Sequence, residues 1–261
     1  MFPSVGSHTD TMTTQPDSPR EPHTPAEKFV ARAERLAAET GHHVPSWLRP
    51  GDPESRLPVL MALIAALALQ VAIPRNYTVV PRWPLITAEV LLLAVLVWLN
   101  PIRLSRSTVL GRYATFVLLA AITLDNTLSA ILLDVKILSG EVSNEAAILL
   151  GSGAAIFVTN IIVFGIWYWE LDRGGPFARQ TGEHPYPDFM FPQMGTPNIA
   201  KPDWRPTFVD YLYVSLTNVM AFSPTDTMPL ARWAKLAMAV QAMVALSTAG
   251  LVIARAVNVL G

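Results

Sequence analysis

Residues 146–169 read AAILLGSGAAIFVTNIIVFGIWYW. No charge interrupts these 24 residues. As a helix they extend about 36 Å, enough to cross a hydrocarbon layer about 30 Å thick. Trp167 and Trp169 close the run, where an indole ring meets apolar and polar surroundings at the headgroup level. Four more apolar stretches flank it: Leu57–Ile73, Leu85–Leu99, Tyr113–Leu133 and Trp233–Ile253, the second extendable to an earlier start and the last to Leu260. The first two are short and need bilayer thinning to cross, or else pair as a hairpin that does not fully cross. The remaining tryptophans, Trp47, Trp83, Trp98, Trp204 and Trp233, also fall at or near predicted ends.

Composition agrees. Hydrophobic residues make up 51% of the 261 and charged residues only 15%, against roughly 25% in soluble domains. So few charges cannot cover a water-facing surface, and the lipid bilayer is the expected partner. A net charge of -1 offers no electrostatic footprint for nucleic acid. The absence of cysteine excludes disulfides, thiolate metal sites and a Cys nucleophile. Small residues recur four apart at Ala62 and Ala66, Gly151 and Ala155, Ala245 and Ala249, and Gly250 and Ala254, a spacing that lets helices approach closely in lipid.

Outside the spans, residues 1–23 are rich in Ser, Thr and Pro and read as a disordered tail with no cleavable signal peptide. Thr24–Gly41 reads as an amphipathic helix: Thr24 caps, Pro25 suits the first turn, Glu27 completes a capping box and Gly41 ends it. Arg49, Arg56, Arg103, Arg106, Arg112, Arg173 and Arg179 lie on one predicted side, against Arg75, Arg82 and Lys136 on the other. That asymmetry predicts an inner-membrane protein with a cytoplasmic N-terminus. Residues 170–206 hold seven prolines and read as an extended loop whose aromatics Tyr186, Phe189, Phe191 and Trp204 cover helix ends.

Residues 207–228, TFVDYLYVSLTNVMAFSPTDTM, do not fit the pattern of full spans. Phe208–Phe222 is too short to cross, and Pro224 blocks continuation. A re-entrant or half-buried helix with a short loop is the expected form, since non-helical backbone at membrane depth needs protein or a water-filled cavity around it. Leu212-Tyr213-Val214-Ser215, then Thr217-Asn218-Val219-Met220-Ala221-Phe222-Ser223, then Pro229-Leu230-Ala231-Arg232 follow one another. This order, with Val252-Ile253-Ala254-Arg255 at the end of the last span, resembles the pore helix, filter and inner helix of two-helix bacterial potassium channels over residues 208–258.

The resemblance implies a channel-like homo-oligomer, because two flanking helices cannot enclose a path alone. Met220 and Phe222 stand at the two filter-glycine places and Ala221 at the aromatic, so potassium selectivity is not implied: carbonyl alternation there needs residues without a β-carbon. Such a filter also opens outward, whereas the arginine count puts this segment inside. Trp167-Tyr168-Trp169-Glu170-Leu171-Asp172-Arg173-Gly174-Gly175-Pro176 and Phe222-Ser223-Pro224-Thr225-Asp226 resemble a bacterial inner-membrane family known only as a domain of unknown function, which implies no activity.

Ionisable groups within spans ask for a reason. Asp125, beside Asn126 and one turn from Ser129, is a candidate ion or proton station or a helix-joining hydrogen-bond partner. Glu89, one turn into its span, is read as reaching the interface. Asn160 and Gln241 are read as interhelical hydrogen-bonding residues. Glu170, Asp172 and Arg173 form a boundary charge cluster, and Asp226 caps a turn or the next helix. Adjacent His42 and His43 make no metal site, and no phosphate or dinucleotide glycine loop or zinc motif occurs. The expected protein is therefore an all-α integral membrane protein of about five spans plus one re-entrant helix. Neither enzyme chemistry, metal nor cofactor is expected. Its two candidate roles are ion passage through a degenerate pore module and a non-conducting scaffold that binds a partner.

Overall fold

A computed structural model describes residues 28, 31–32, 35, 45–49, 51, 54–78, 82–99, 109–142, 145–182, 184–196, 200–220 and 226–260. The principal helices are α1 (Leu57–Ala72), α2 (Arg82–Leu99), α3 (Val109–Ser139) and α4 (Ala146–Leu171). They are followed by α5 (Pro176–Thr181), α6 (Pro192–Gly195), α7 (Phe208–Met220) and α8 (Arg232–Leu260). Three stretches are long and apolar enough to cross a membrane: Leu110–Ser139, Ala146–Thr181 and Arg232–Val259. Helices α1 and the apolar part of α2 fall short of that length. The tail 1–23 and His42 and His43 lie outside the described residues. Of the expected helix 24–41, Lys28, Ala31, Arg32 and Arg35 are described, and they are helical.

Packing fixes how the helices run. One apolar core joins Val59, Leu63 and Leu67 of α1, Leu118 and Ile122 of α3, Ile162–Trp169 of α4, and Ala234 and Met238 of α8. A second joins Ile73 after α1, Leu133 of α3, Leu149 and Ile156 of α4, and Val252 and Ala256 of α8. The start of α1, α3 and α8 therefore shares one end of the bundle with the finish of α4. This end carries Arg56, Arg112, Arg173 and Arg179, the groups whose charges act on Glu170 or on one another. Arg75 and Lys136 mark the opposite end, where Lys136 Nζ donates to the Asn76 carbonyl.

Close approach in this bundle rests on glycines other than the small-residue pairs. A Cβ on Gly165 would stand 3.0 Å from Leu212 Cα, and one on Gly153 would stand 2.8 Å from Val252 Cγ1. α4 lies so near α7 and α8 because these positions carry no side chain. Ala66, Ala155 and Ala245 are buried as expected, whereas Gly151 and Gly250 face open space.

Residues 170–206 depart from the expected extended loop. They form α5, α6 and a short strand β1 (Phe189–Met190). This strand pairs antiparallel with β2 (Met228–Pro229), Phe189 opposite Pro229 and Met190 opposite Met228. Prolines start both short helices, where a missing N–H costs nothing. Phe189 and Phe191 are core residues rather than covers, meeting Tyr211 edge-on at 6.2 and 5.3 Å. Of the four aromatics, Tyr186 is exposed and Trp204 half-buried.

Helix α7 runs against α4. Phe208 meets Trp169 at the arginine-rich end, Leu212 meets Gly165, and the Ser215 hydroxyl donates to the Ile161 carbonyl at 2.7 Å. Its 13 residues extend about 20 Å, so Val219 reaches the level of Ile161 and Ala245, part-way along both long helices. By Met228 the chain is back beside β1, and α8 starts at that same end.

Candidate functional site

Three polar groupings stand inside this apolar frame. The first is built where α4 stops. Arg173 adopts φ 53°, and Gly174 and Gly175 follow at 78° and 99°, conformations that favour glycine and that end the helix in a tight turn. The turn aims Asp172 inward. Its Oδ1 accepts the Asp188 amide at 2.8 Å and its Oδ2 accepts the Tyr211 hydroxyl. Asp188 in turn accepts the Arg173 amide at 2.8 Å and the Trp233 indole at 3.1 Å, so one carboxylate ties the turn to the start of α8.

Arg179, fully enclosed, donates through Nη1 to the carbonyls of Trp169 and Asp172, at 2.7 and 2.9 Å. Its Nη2 lies 3.5 Å from Glu54, which also accepts the Trp169 indole at 2.7 Å. The guanidinium stacks over Trp169 and Tyr211. Buried Glu170 feels the charges of Arg56, Arg179 and Arg112. Burial pulls the Arg56 guanidinium below its ordinary value, and Glu170 opposes that pull. Of the expected cluster, Asp172 and Arg173 interact directly, and Glu170 is tied to them through Arg179. The cluster is larger than the sequence suggested, because Glu54, Arg179, Asp188 and Tyr211 join it from distant positions.

The second grouping holds α7. Gln241 of α8 accepts the Tyr168 hydroxyl at 2.6 Å and the Asn218 amide at 2.9 Å, and it donates to the Ser215 hydroxyl at 2.6 Å. Asn218 also donates to the Met238 carbonyl. Gln241 is interhelical, as read from sequence. Of the pore-like residues, Thr217, Asn218 and Val219 are buried against the protein's own helices, and Thr217 returns its hydroxyl to the Tyr213 carbonyl. Met220 is exposed and so is Asp226, while Ala221, Phe222 and Ser223 lie outside the described residues. The outward face of α7 carries Val209, Tyr213, Leu216 and Met220.

The third grouping sits between α1, α2 and α3. Gln70 Nε2 donates to Asp125 Oδ2 at 3.0 Å. Glu89 is 0% exposed, its charge is repelled by Asp125, and neither carboxyl oxygen has a hydrogen-bond partner among the described residues. The expectation that Glu89 reaches the interface is corrected. α2 takes the earlier start that the sequence allowed, at Arg82, which places Glu89 about two turns in and against α3. The Oε1 of Gln70 is likewise buried without a partner. Asn126 points elsewhere and donates to the Ile156 carbonyl at 3.2 Å. Asn160 and Ser129 are buried, and among the described residues the Oδ1 of the first and the hydroxyl of the second have no hydrogen-bond partner, so that oxygen does not make the interhelical bond expected of Asn160. Sequence reading missed Gln70, whose only signal was one amide in an otherwise apolar helix. It also missed Asp134, which interacts with Ser247 and Thr248 of α8.

Among the described residues no group of three or more His, Cys, Asp or Glu could hold a metal ion. The chain matches no family model, and no curated protein or solved structure is significantly similar to it.

Proposed function

We propose that this chain is a multi-pass membrane protein of five spans with α7 as a half-membrane helix, and that its α4, α7 and α8 form a rigid, non-conducting scaffold for a partner in the bilayer. Helices α1 and α2, about 24 and 27 Å long, complete the five if the bilayer thins around them. The arginine-rich end then faces the cytoplasm.

One observation carries the scaffold reading. The polar side chains on the inner face of α7 bond to α4, α8 or α7 itself, leaving an apolar outer face. A conducting path needs polar atoms free to replace an ion's water. Met220 and the residue types at 221 and 222 also lack the freedom a carbonyl filter needs. Purified protein in liposomes should pass K⁺, Na⁺ and Cl⁻ no faster than empty vesicles. Steady flux that scales with protein content defeats the scaffold.

The carboxylate pair favours a second reading, proton or cation passage through α1, α2 and α3. The Glu89 carboxyl, buried beside Asp125 and without a hydrogen-bond partner among the described residues, attracts a proton or a small cation. Liposomes loaded with a pH-sensitive dye separate the two readings. Proton entry that is lost on Glu89→Gln supports passage, and entry unaffected by that change removes the pair from it.

A further inference from the structure

Where α4 ends, a cavity of about 160 Å³ opens between the turn, α5 and the start of α7. Its wall includes Trp47, Glu54, Arg173, Arg179, Arg205 and Thr207. That volume is close to the roughly 150 Å³ that admits a benzene molecule in an engineered cavity. Three guanidinium groups and one carboxylate line the wall, with Asp172 close enough to act on Arg173 and Arg179. The charges of Arg179 and Arg205 act against that of Arg173, while the neighbouring Asp172 acts more strongly in its favour.

It is the hydrogen bonds that point to an anion. Arg173 spends Nε on the His184 carbonyl and Nη1 on the Trp47 carbonyl, each at 2.7 Å, and its buried Nη2 has no partner among the described residues. Arg179 Nε and Trp47 Nε1 are buried in the same unpartnered state. Donors so enclosed are normally satisfied, by an acceptor of the protein or of something bound. Arg173 also stacks over the Trp47 ring, which holds the wall rigid. At position 51 a side chain would overlap the Arg205 guanidinium, so Gly51 is what lets Arg205 take its place on the wall. Asp210 already occupies the N-terminus of α7, accepting the Thr207 amide and hydroxyl, and so the arginines rather than a helix end supply the attraction.

We propose that this cavity is an anion site that takes a tetrahedral phosphate group, held between Arg173, Arg179 and Arg205. The planar guanidinium fork matches phosphate oxygens two at a time. The group could come from a phospholipid headgroup or from phosphate in solution, and both offer the same oxygens. The site is independent of the scaffold reading, since neither the hydrogen bonds that seat α7 nor the carboxylate pair contributes to its wall.

The test uses the full chain in zwitterionic detergent micelles and two radiolabelled probes: inorganic phosphate, and micelles doped with a short-chain phosphatidic acid. Saturable one-to-one uptake of either probe is expected. Uptake of both assigns the site to phosphate from solution or lipid alike, and uptake of the doped lipid alone assigns it to a headgroup. Arg205→Gln, a half-buried position, should weaken uptake about tenfold or more. Gly51→Ala should weaken it too, because it displaces only the flexible tip of Arg205. Glu54→Gln should tighten it by removing the opposing charge. Absence of saturable uptake of both probes by the unaltered protein overturns the proposal. So does uptake that Arg205→Gln and Gly51→Ala leave unchanged while both variants elute as folded protein.

Discussion

The arginine-rich end and the acidic patch between α1, α2 and α3 are both buried and both charged, yet they are built on opposite principles. At the arginine-rich end, acids meet bases. Asp172 accepts hydrogen bonds from three residues, and Arg179 has two carbonyls, Glu54 and two aromatic faces around it. In the acidic patch, acceptors crowd together: Asp125 accepts the Gln70 amide, while among the described residues Glu89 and the Oε1 of Gln70 have no hydrogen-bond partner. The first arrangement pins α4, the turn, α7 and α8 into one geometry. The second contributes no comparable network among the described residues.

The sharpest way to break this contrast is Arg179→Met. It strands Glu54 and two buried carbonyls at once and should lower stability by about 3–5 kcal/mol, read from thermal unfolding in a fixed detergent. Gln241→Leu comes next. It leaves Tyr168, Ser215 and Asn218 short of a partner, at a cost of about 1–3 kcal/mol in the same assay. Gly165→Val forces α7 off α4 at the Leu212 contact and should cost about 1–2 kcal/mol by overpacking. Glu89→Gln is the smallest and has the opposite sign. Removing a repelled, unpartnered carboxylate should leave stability within about 1 kcal/mol of wild type, on the stabilising side, at neutral pH. A large loss on Glu89→Gln would make the two regions alike.

The three long apolar helices were legible because a bilayer leaves a one-dimensional trace: long runs almost free of charge, with tryptophan near several of their ends. The short α7 was equally legible, since Pro224 and the polar residues after it bound the run from one side. Ends were less so. α3 extends from Val109 to Ser139, well past Tyr113–Leu133, because Arg112, Asp134 and Lys136 continue a helix as readily as apolar residues do. The loop 170–206 misled because prolines exclude sheet ladders but permit helix starts.

The charged sites divide in the same way. Glu170, Asp172 and Arg173 are neighbours in sequence and could be read together. Glu54, Arg179, Asp188, Arg205 and Tyr211 reach the same place from five separate positions, and nothing local marks them as partners. Glu89 and Asp125 were each visible as costly residues, but their proximity depends on how α2 packs on α3. Gln70 joins them only through the three-dimensional arrangement of α1.

The central claim is that the chain crosses the bilayer repeatedly while α7 enters and returns at one end. The absence of native cysteine permits a direct measurement: single cysteines at exposed Tyr186, Asp226 and Glu141, challenged with a membrane-impermeant maleimide in sealed, oriented vesicles. Tyr186→Cys and Asp226→Cys should react from the same side and Glu141→Cys from the other. Reaction of Tyr186→Cys and Asp226→Cys from opposite sides would make α7 a full crossing and contradict the account.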